Sequence, residues 1–252
     1  MRFGVFQSHP IQYFSPLWAE VARRPGVELK VHYFSKQGLV AGVDRDFGQK
    51  IAWDIDLLEG YEYEFLPRRW PTTDPLDYTW KGLNEGLRQA VEAGWDVVWV
   101  AGYIHLNNWM IGSACRRLGI PMMVQADSNI LTASDKSGTI HWMKRMVLPR
   151  FGAMTAAFLP VSDHGKSYFE HYGIPPDKVF IVPYPTDTGR FRRTVEAATP
   201  EQLAALREKY GIPRDRRIVT FSGKFVARKR PQDLVEAVAR LGRDDVLALL
   251  IG

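Results

Sequence analysis

The sequence holds a single cysteine, Cys115, among 252 residues. That excludes an internal disulfide and with it a disulfide-stapled secreted fold. No apolar run approaches the roughly 18 residues that a membrane-spanning helix requires. The amino terminus, MRFGVFQSHP, offers one Arg and a short apolar stretch, too little for a secretory signal. A cytoplasmic protein is therefore expected. No GxGxxG follows the first apolar run, and GxxxxGK(S/T) and GxSxG do not occur. Nicotinamide dehydrogenase and P-loop NTPase readings lose their main support. The six histidines and the lone cysteine have no zinc-ligand spacing, so no metal is expected. Internal repeats and low-complexity tracts are missing too.

What is present suits a folded domain. Hydrophobic residues make up 46% and charged residues 24%, enough for one large domain or two small ones with a substantial core. Lys and Arg outnumber Asp and Glu by 33 to 28, a net charge of +5. The excess is local. Between Lys136 and Ser162 there is no acid but four bases: Lys136, Lys144, Arg145 and Arg150. From Lys209 to Arg230 eight bases accompany one acid, Asp215. Such concentrations point to an anionic partner: a phosphate ligand, an anionic membrane or nucleic acid. A solvated basic surface is the plain alternative.

Short apolar runs alternate with helical spacings. Strands are expected at 2–7 (RFGVFQ), 27–34, 95–102 (WDVVWVAG), 121–126, 154–162 and 178–184 (KVFIVPY). Helices are expected at 16–24, 80–94, 107–119, 139–152 and 162–173, several closed by Gly, with Ser162 suited to an N-cap. Residues 35–80 are irregular, with strand-like pieces at 51–58 and 61–66. Repeated strand–helix–strand units imply a parallel sheet covered by helices on both faces. Residues 186–202 lack apolar periodicity and read as a linker. A helix at 200–210, a strand at 217–223, a helix at 231–242 and a strand at 246–252 follow. These few elements cannot close a core, so they read as the start of a second domain.

Open parallel sheets bind ligands at the carboxyl ends of their strands. Polar residues gather there: Gln7 to Tyr13, Gly102 to Asn108, Asp127 with Ser128 and Asn129, and Ser162 to His164. Loop polarity and capping account for some of these without a ligand, Ser162 among them. The sharpest local feature is FSGKFVARKRPQDLVEAV at 221–238. A strand ends at Gly223 and Lys224 follows. A short loop then carries Arg228, Lys229 and Arg230, and Pro231 opens a helix. Cations converging on a helix N-terminus suit a phosphate or diphosphate; a basic solvated loop is the alternative.

This segment resembles the donor-diphosphate loop of the retaining GT-B glycosyltransferases of family 4, of the form G-R-(L/F)-x-x-x-K-G before a D-x-L-I-x-A helix. Gly223 and Lys229 match, Lys224 stands where Arg is usual, and Arg230 replaces the second Gly. SHPIQYFSPLW (8–18) resembles an opening loop of a bacterial branch of that family. GYIHLNNW followed by ACRRLGIPMMVQADSN resembles that branch's G-x-x-x-H and R-x-x-G-x-P-V-x-x-R-x-D-S, with Gln125 for the common Arg. YFEHYGIPPDKVFIVPYPTDTGRF (168–191) resembles the stretch that closes the first domain. The likeness spans almost the whole chain.

The resemblance implies an α/β protein of GT-B type. Residues 1–190 would form a complete N-terminal Rossmann-like acceptor-side domain. Residues 191–252 would be the linker and first elements of an incomplete nucleotide-sugar-binding domain, ending before the family's E-x7-E pair. The implied reaction moves a hexose from a nucleotide diphosphate sugar to a glycan or lipid-linked acceptor with retention, in polysaccharide biosynthesis, with no cofactor. Gly223, Lys224 and Lys229 would bind the donor diphosphate. Asp127 and His105 are the catalytic candidates, and His9, Gln12 and Ser128 the substrate-binding ones. Read alone, Asp127 is also a turn cap and His105 a loop histidine. Residues 1–252 by themselves are expected to be inactive. Trp142, Met143, Met146 and Val147 beside Lys144 and Arg145 suit a peripheral contact with an anionic membrane on its inner face, although core packing is the preferred reading of this stripe. A non-catalytic acceptor- or partner-binding module is the rival reading. Nucleic acid is not an expected partner: the bases gather near a strand end, and no recognition motif appears.

Overall fold

The computed structural model describes residues 1–39, 42–44, 49–51, 53–70, 80–131 and 138–252. In chain order the elements are β1 (Arg2–Gln7), α1 (Ser15–Ala22), β2 (Glu28–Tyr33), β3 (Gly42–Asp44), β4 (Gln49–Ile51), β5 (Glu62–Phe65), α2 (Leu87–Glu92), β6 (Val97–Ala101), α3 (Leu106–Leu118), β7 (Met122–Ala126) and α4 (Gly138–Gly152). Then come β8 (Ala157–Pro160), α5 (Asp163–His171), α6 (Thr188–Glu196), α7 (Pro200–Lys209), β9 (Arg217–Ser222), α8 (Pro231–Leu241) and β10 (Val246–Ile251). They fall into two units, Met1–Val40 with Trp53–Thr186 and Ala41–Ala52 with Asp187–Gly252. This partition differs from the expected 1–190 and 191–252 at residues 41–52 and 187–190.

The first unit is built on a parallel sheet of order β5-β2-β1-β6-β7-β8. Both faces are covered, which is why its strands read as near-continuous apolar runs. Phe3 and Val5 of β1 point with Leu29, Val31 and Trp99 to the face closed by Trp18 of α1. Phe6 joins Val98, Val100, Val124 and Phe158 on the other face, under residues of α2 to α5. Gly4 admits the Trp95 indole: a Cβ there would lie 2.8 Å from it.

Four local expectations are corrected. The helix expected at 80–94 is a 3₁₀ turn at Trp80–Gly82 and then α2 alone. Gly86 takes φ +74°, and buried Asn84 donates to the carbonyls of Phe34 (3.0 Å) and Leu66 (2.7 Å), which holds the chain out of a helix. Residues 178–184 form no regular strand, although the amides of Phe180 and Val182 donate to the carbonyls of Phe158 and Pro160. Pro183 and Pro185, which lack an N–H and lock φ on either side of Tyr184, discourage regular strand pairing beyond Val182. The 51–58 piece ends as strand at Ile51, with Ala52 outside the described residues. The 186–202 linker contains α6, nucleated by Asp187, whose carboxylate accepts the Arg190 amide at 2.8 Å. It buries no residue, so no apolar stripe betrays it.

The apolar stripe of α4 is also corrected. Leu148 and Phe151 enter the core, but Trp142 is 62% and Met143 52% exposed, with Met146 and Val147 outward as well. The helix is anchored at its carboxyl end, leaving its first turns outside the core. Lys136 lies outside the described residues.

In the second unit β9 and β10 pair in parallel, from Arg217 opposite Val246 to Ser222 opposite Ile251. The crossover helix α8 lies against β10. From Asp187 to Gly252 Pro231 is the buried residue, and Val219, Val235, Leu241 and Ile251 are exposed.

Candidate functional site

In the first unit the sheet runs outward in both directions from β1. Its neighbours are β2 and β6, so the loops leaving β1 and β6 part from each other. Ligands bind at such a switch point, beyond the carboxyl ends of the strands. A cleft of about 210 Å³ opens there. Trp99, Phe14 and Phe34 form its apolar floor, and Ser8, His105, Asp127 and Ser128 bring polar groups.

His105 is fixed by the start of α3. It is the N-cap, and its Nδ1 accepts the amide N–H of Asn107 at 3.3 Å. A nitrogen that accepts carries no proton, so the ring is neutral while it caps. Only 4% of the residue is exposed, and its ring lies 5.1 Å from that of Phe34. Behind it, Asn107 Nδ2 donates to Asn84 Oδ1 at 2.8 Å. Asn108 Nδ2 donates to the carbonyls of Ala101 (2.7 Å) and Gly102 (2.9 Å). The three asparagines therefore hold the β6–α3 turn from below.

Asp127 stands exposed after β7. The rings of Tyr13 and Tyr184 are 4.7 Å apart. Burial pushes the Tyr184 phenol well above its usual range, and its contacts with Tyr13 and with Asp127 add to that. Tyr13 is raised by burial too, with a contribution from the Asp127 charge. Both phenols are thus proton donors at neutral pH. Ser128 Oγ lies 3.1 Å from the Tyr103 hydroxyl, which lies 2.7 Å from that of Tyr168. These mutual bonds restrain the hydroxyls, which present a set pattern to a ligand.

Of the expected substrate residues, Ser128 lines the cleft, as do Asp127 and His105. His9 and Gln12 do not. His9 instead shares a hydrogen bond of 2.9 Å between its Nδ1 and Ser8 Oγ, and burial lowers it to about 4; Ser8 takes the place on the cleft. Tyr13 and Tyr103 lie in loops that the strand pattern marks. Trp99, inside a strand, and Tyr184, beyond the first-domain loops, carry no local signal of a site.

The basic loop belongs to the second unit. Gly223 takes φ +153° and donates to the Ile251 carbonyl at 2.8 Å, closing β9 on β10. Ala227–Lys229 form one 3₁₀ turn. Arg230 then takes φ +51°, the left-handed region, which explains why the resembled motif has Gly at this place. No side chain caps the amides that open α8. Arg228, Lys229 and Arg230 are exposed, and Arg230 pairs with Asp233 at 2.8 Å.

Residues 58–185 match the glycosyl transferase 4-like domain. That is half of the chain, and it holds the cleft residues from Trp99 to Tyr184, while those after β1 and Phe34 after β2 lie outside it. The chain belongs to this family. A D-inositol 3-phosphate glycosyltransferase of Streptomyces coelicolor is 25% identical over 200 residues, 75% of this chain and 42% of that protein. Another of that name, from Geodermatophilus obscurus, is 32% identical over 84 residues, 33% of this chain and 17% of the relative. The chain therefore spans less than half the length of these curated relatives. Among solved structures, Anabaena HepE in complex with UDP is similar at TM-score 0.63 and 14% identity. A glycosyltransferase from Rickettsia africae is similar at TM-score 0.65 and 14% identity. Each alignment covers 99% of this chain and 60% of the other. The glycosyl transferase 4-like chain thus has the GT-B fold over the part of it that it spans.

Proposed function

We propose that this sequence is the acceptor-side part of a cytoplasmic glycosyltransferase in polysaccharide biosynthesis. It would move a hexose from a nucleotide diphosphate sugar to a glycan or lipid-linked acceptor with retention and without a metal. The observation that carries this reading is the coincidence of the family match with the cleft at the sheet's switch point. HepE has been seen with UDP and with UDP-glucose, and the curated relatives are named for transfer to inositol 3-phosphate. The HepE complexes support a nucleoside diphosphate sugar as donor, and the relatives' names support glycosyl transfer.

In this reading the acceptor hydroxyl is presented in the cleft between Asp127 and His105. Asp127 accepts hydroxyl hydrogens and favours positive charge growing on the sugar. Charge that builds on the departing diphosphate is answered by Lys224 and Lys229, set by a strand end and an uncapped helix start. Preorganised charge of this kind supplies much of the rate enhancement in many enzymes. The test is transfer from UDP-glucose by the protein spanning the full length of its relatives. Acceptor-dependent UDP release with retained anomeric configuration is expected. A non-catalytic binding module would show acceptor binding and no release, and an inverted product would also overturn the reading.

The exposed face of α4 supports a membrane contact. Trp142, Met143, Met146 and Val147 lie outward with Arg145 and Arg150, and no acid occurs from 136 to 162. Apolar and aromatic groups beside cations suit an anionic bilayer surface. Co-sedimentation with phosphatidylglycerol vesicles should exceed that with phosphatidylcholine vesicles roughly tenfold. The double variant Trp142→Ala, Met143→Ala should lose most of it. Equal binding to both lipids would remove the membrane from the proposal.

A further inference from the structure

We propose that the cleft of the first unit admits an uncharged polyol as acceptor and rejects one bearing a phosphate, and that Asp127 sets this preference. The inference rests on reading the cleft as the acceptor site. It adds the charge class of the acceptor and the residue that selects it.

A bound phosphate needs cations or an open helix N-terminus. Neither is at hand. Among the described residues no Lys or Arg lines the cleft, and Asp127 is its one charged side chain. His105 is neutral while its Nδ1 accepts from Asn107. The helix that starts at the cleft, α3, is already capped. The Asn107 amide is taken by the His105 ring and the Asn108 amide by the His105 carbonyl at 2.9 Å. The other helix start near Ser128, that of α5, is capped by Ser162, whose Oγ accepts the Gly165 amide at 3.3 Å.

What the cleft does hold suits a neutral ring with several hydroxyls. The Tyr13 and Tyr184 rings offer flat apolar faces for the C–H side of a sugar or cyclitol. The Tyr103 and Ser128 hydroxyls both donate and accept. Exposed Asp127 accepts only, and its charge is felt at both tyrosine phenols. A dianionic phosphate brought within several ångströms of Asp127 meets repulsion worth about a tenfold loss in affinity, even with substantial solvent screening.

The test is binding of glucose and of glucose 6-phosphate to residues 1–252, followed by amide NMR shifts in the loops after β6 and β7. Glucose should bind roughly tenfold tighter. Asp127→Asn, at an exposed position, should bring the two affinities within about threefold, and Asp127→Lys should reverse their order. Equal or tighter binding of glucose 6-phosphate by the unaltered chain would overturn the proposal. So would a preference untouched by Asp127→Asn, or binding of neither sugar. Failure of the parent reading is distinguishable. Efficient sugar transfer to phosphorylated acceptors would sink the charge selection and leave the glycosyltransferase standing. A glucose preference without any transfer from a nucleotide sugar would do the reverse.

Discussion

Lys229→Ala should lower sugar transfer by roughly 10²–10³, the scale of removing one preorganised charge stabiliser. The effect is expected in kcat, measured with UDP-glucose in the protein that spans the relatives' full length. Charge on the diphosphate grows as the glycosidic bond breaks, so the transition state gains more from the ammonium than the bound donor does. The substitution leaves the fold alone. Lys229 is exposed, and its backbone amide keeps the 2.9 Å bond to Val226 that closes the 3₁₀ turn. Lys229→Arg keeps the charge and should retain much of the rate. Arg240→Ala, close by in the sequence but engaged with Glu236 on the surface of α8, should change little. Turnover unaltered in a folded Lys229→Ala variant would end the assignment of the loop to the donor.

Trp99→Ala should cost about 3–5 kcal/mol of stability, the usual range for emptying a large aromatic site. Trp99 is 3% exposed on β6. Its ring meets Trp18 edge to face at 5.0 Å and Phe14 at 5.3 Å. Phe14 in turn meets Tyr184 at 5.8 Å. Removing the indole therefore opens a void between α1 and the sheet and unseats the floor of the cleft together. Against a total of about 5–15 kcal/mol for a domain, this loss approaches unfolding. Urea denaturation would show it as a lower midpoint, and binding in the cleft should fall with it. Trp142→Ala, at an exposed position, should stay within about 0.5 kcal/mol. Equal midpoints for the two variants would mean that Trp99 does not hold the aromatic cluster.

The parallel sheet was legible because both faces are covered, which writes each strand as an apolar run between polar loops. The same alternation marked the loops carrying Asp127, His105 and Ser128. The start of α5 was legible because Ser162 caps it ahead of an apolar stripe that reaches the core. The irregular stretches were not. Asn84 bonds to carbonyls of Phe34 and Leu66 far along the chain, and no window around residue 84 contains those partners. Likewise α6 forms on a cap with no buried face, so periodicity is blind to it.

The sequence by itself determined the fold class, the basic loop before α8 and the loops that edge the cleft. These follow from local pattern: apolar runs, turn residues, and cations gathered at one strand end. Only the tertiary structure decided which of the marked residues share the cleft. It set Ser8 there in place of His9 and Gln12, and brought Tyr184 beside Tyr13 and Asp127. It also turned Trp142 and Met143 outward. The reason is physical. Whether a side chain lies in a core, in a cleft or on the surface depends on which elements pack across it. For these residues the partners come from strands and helices tens of residues away.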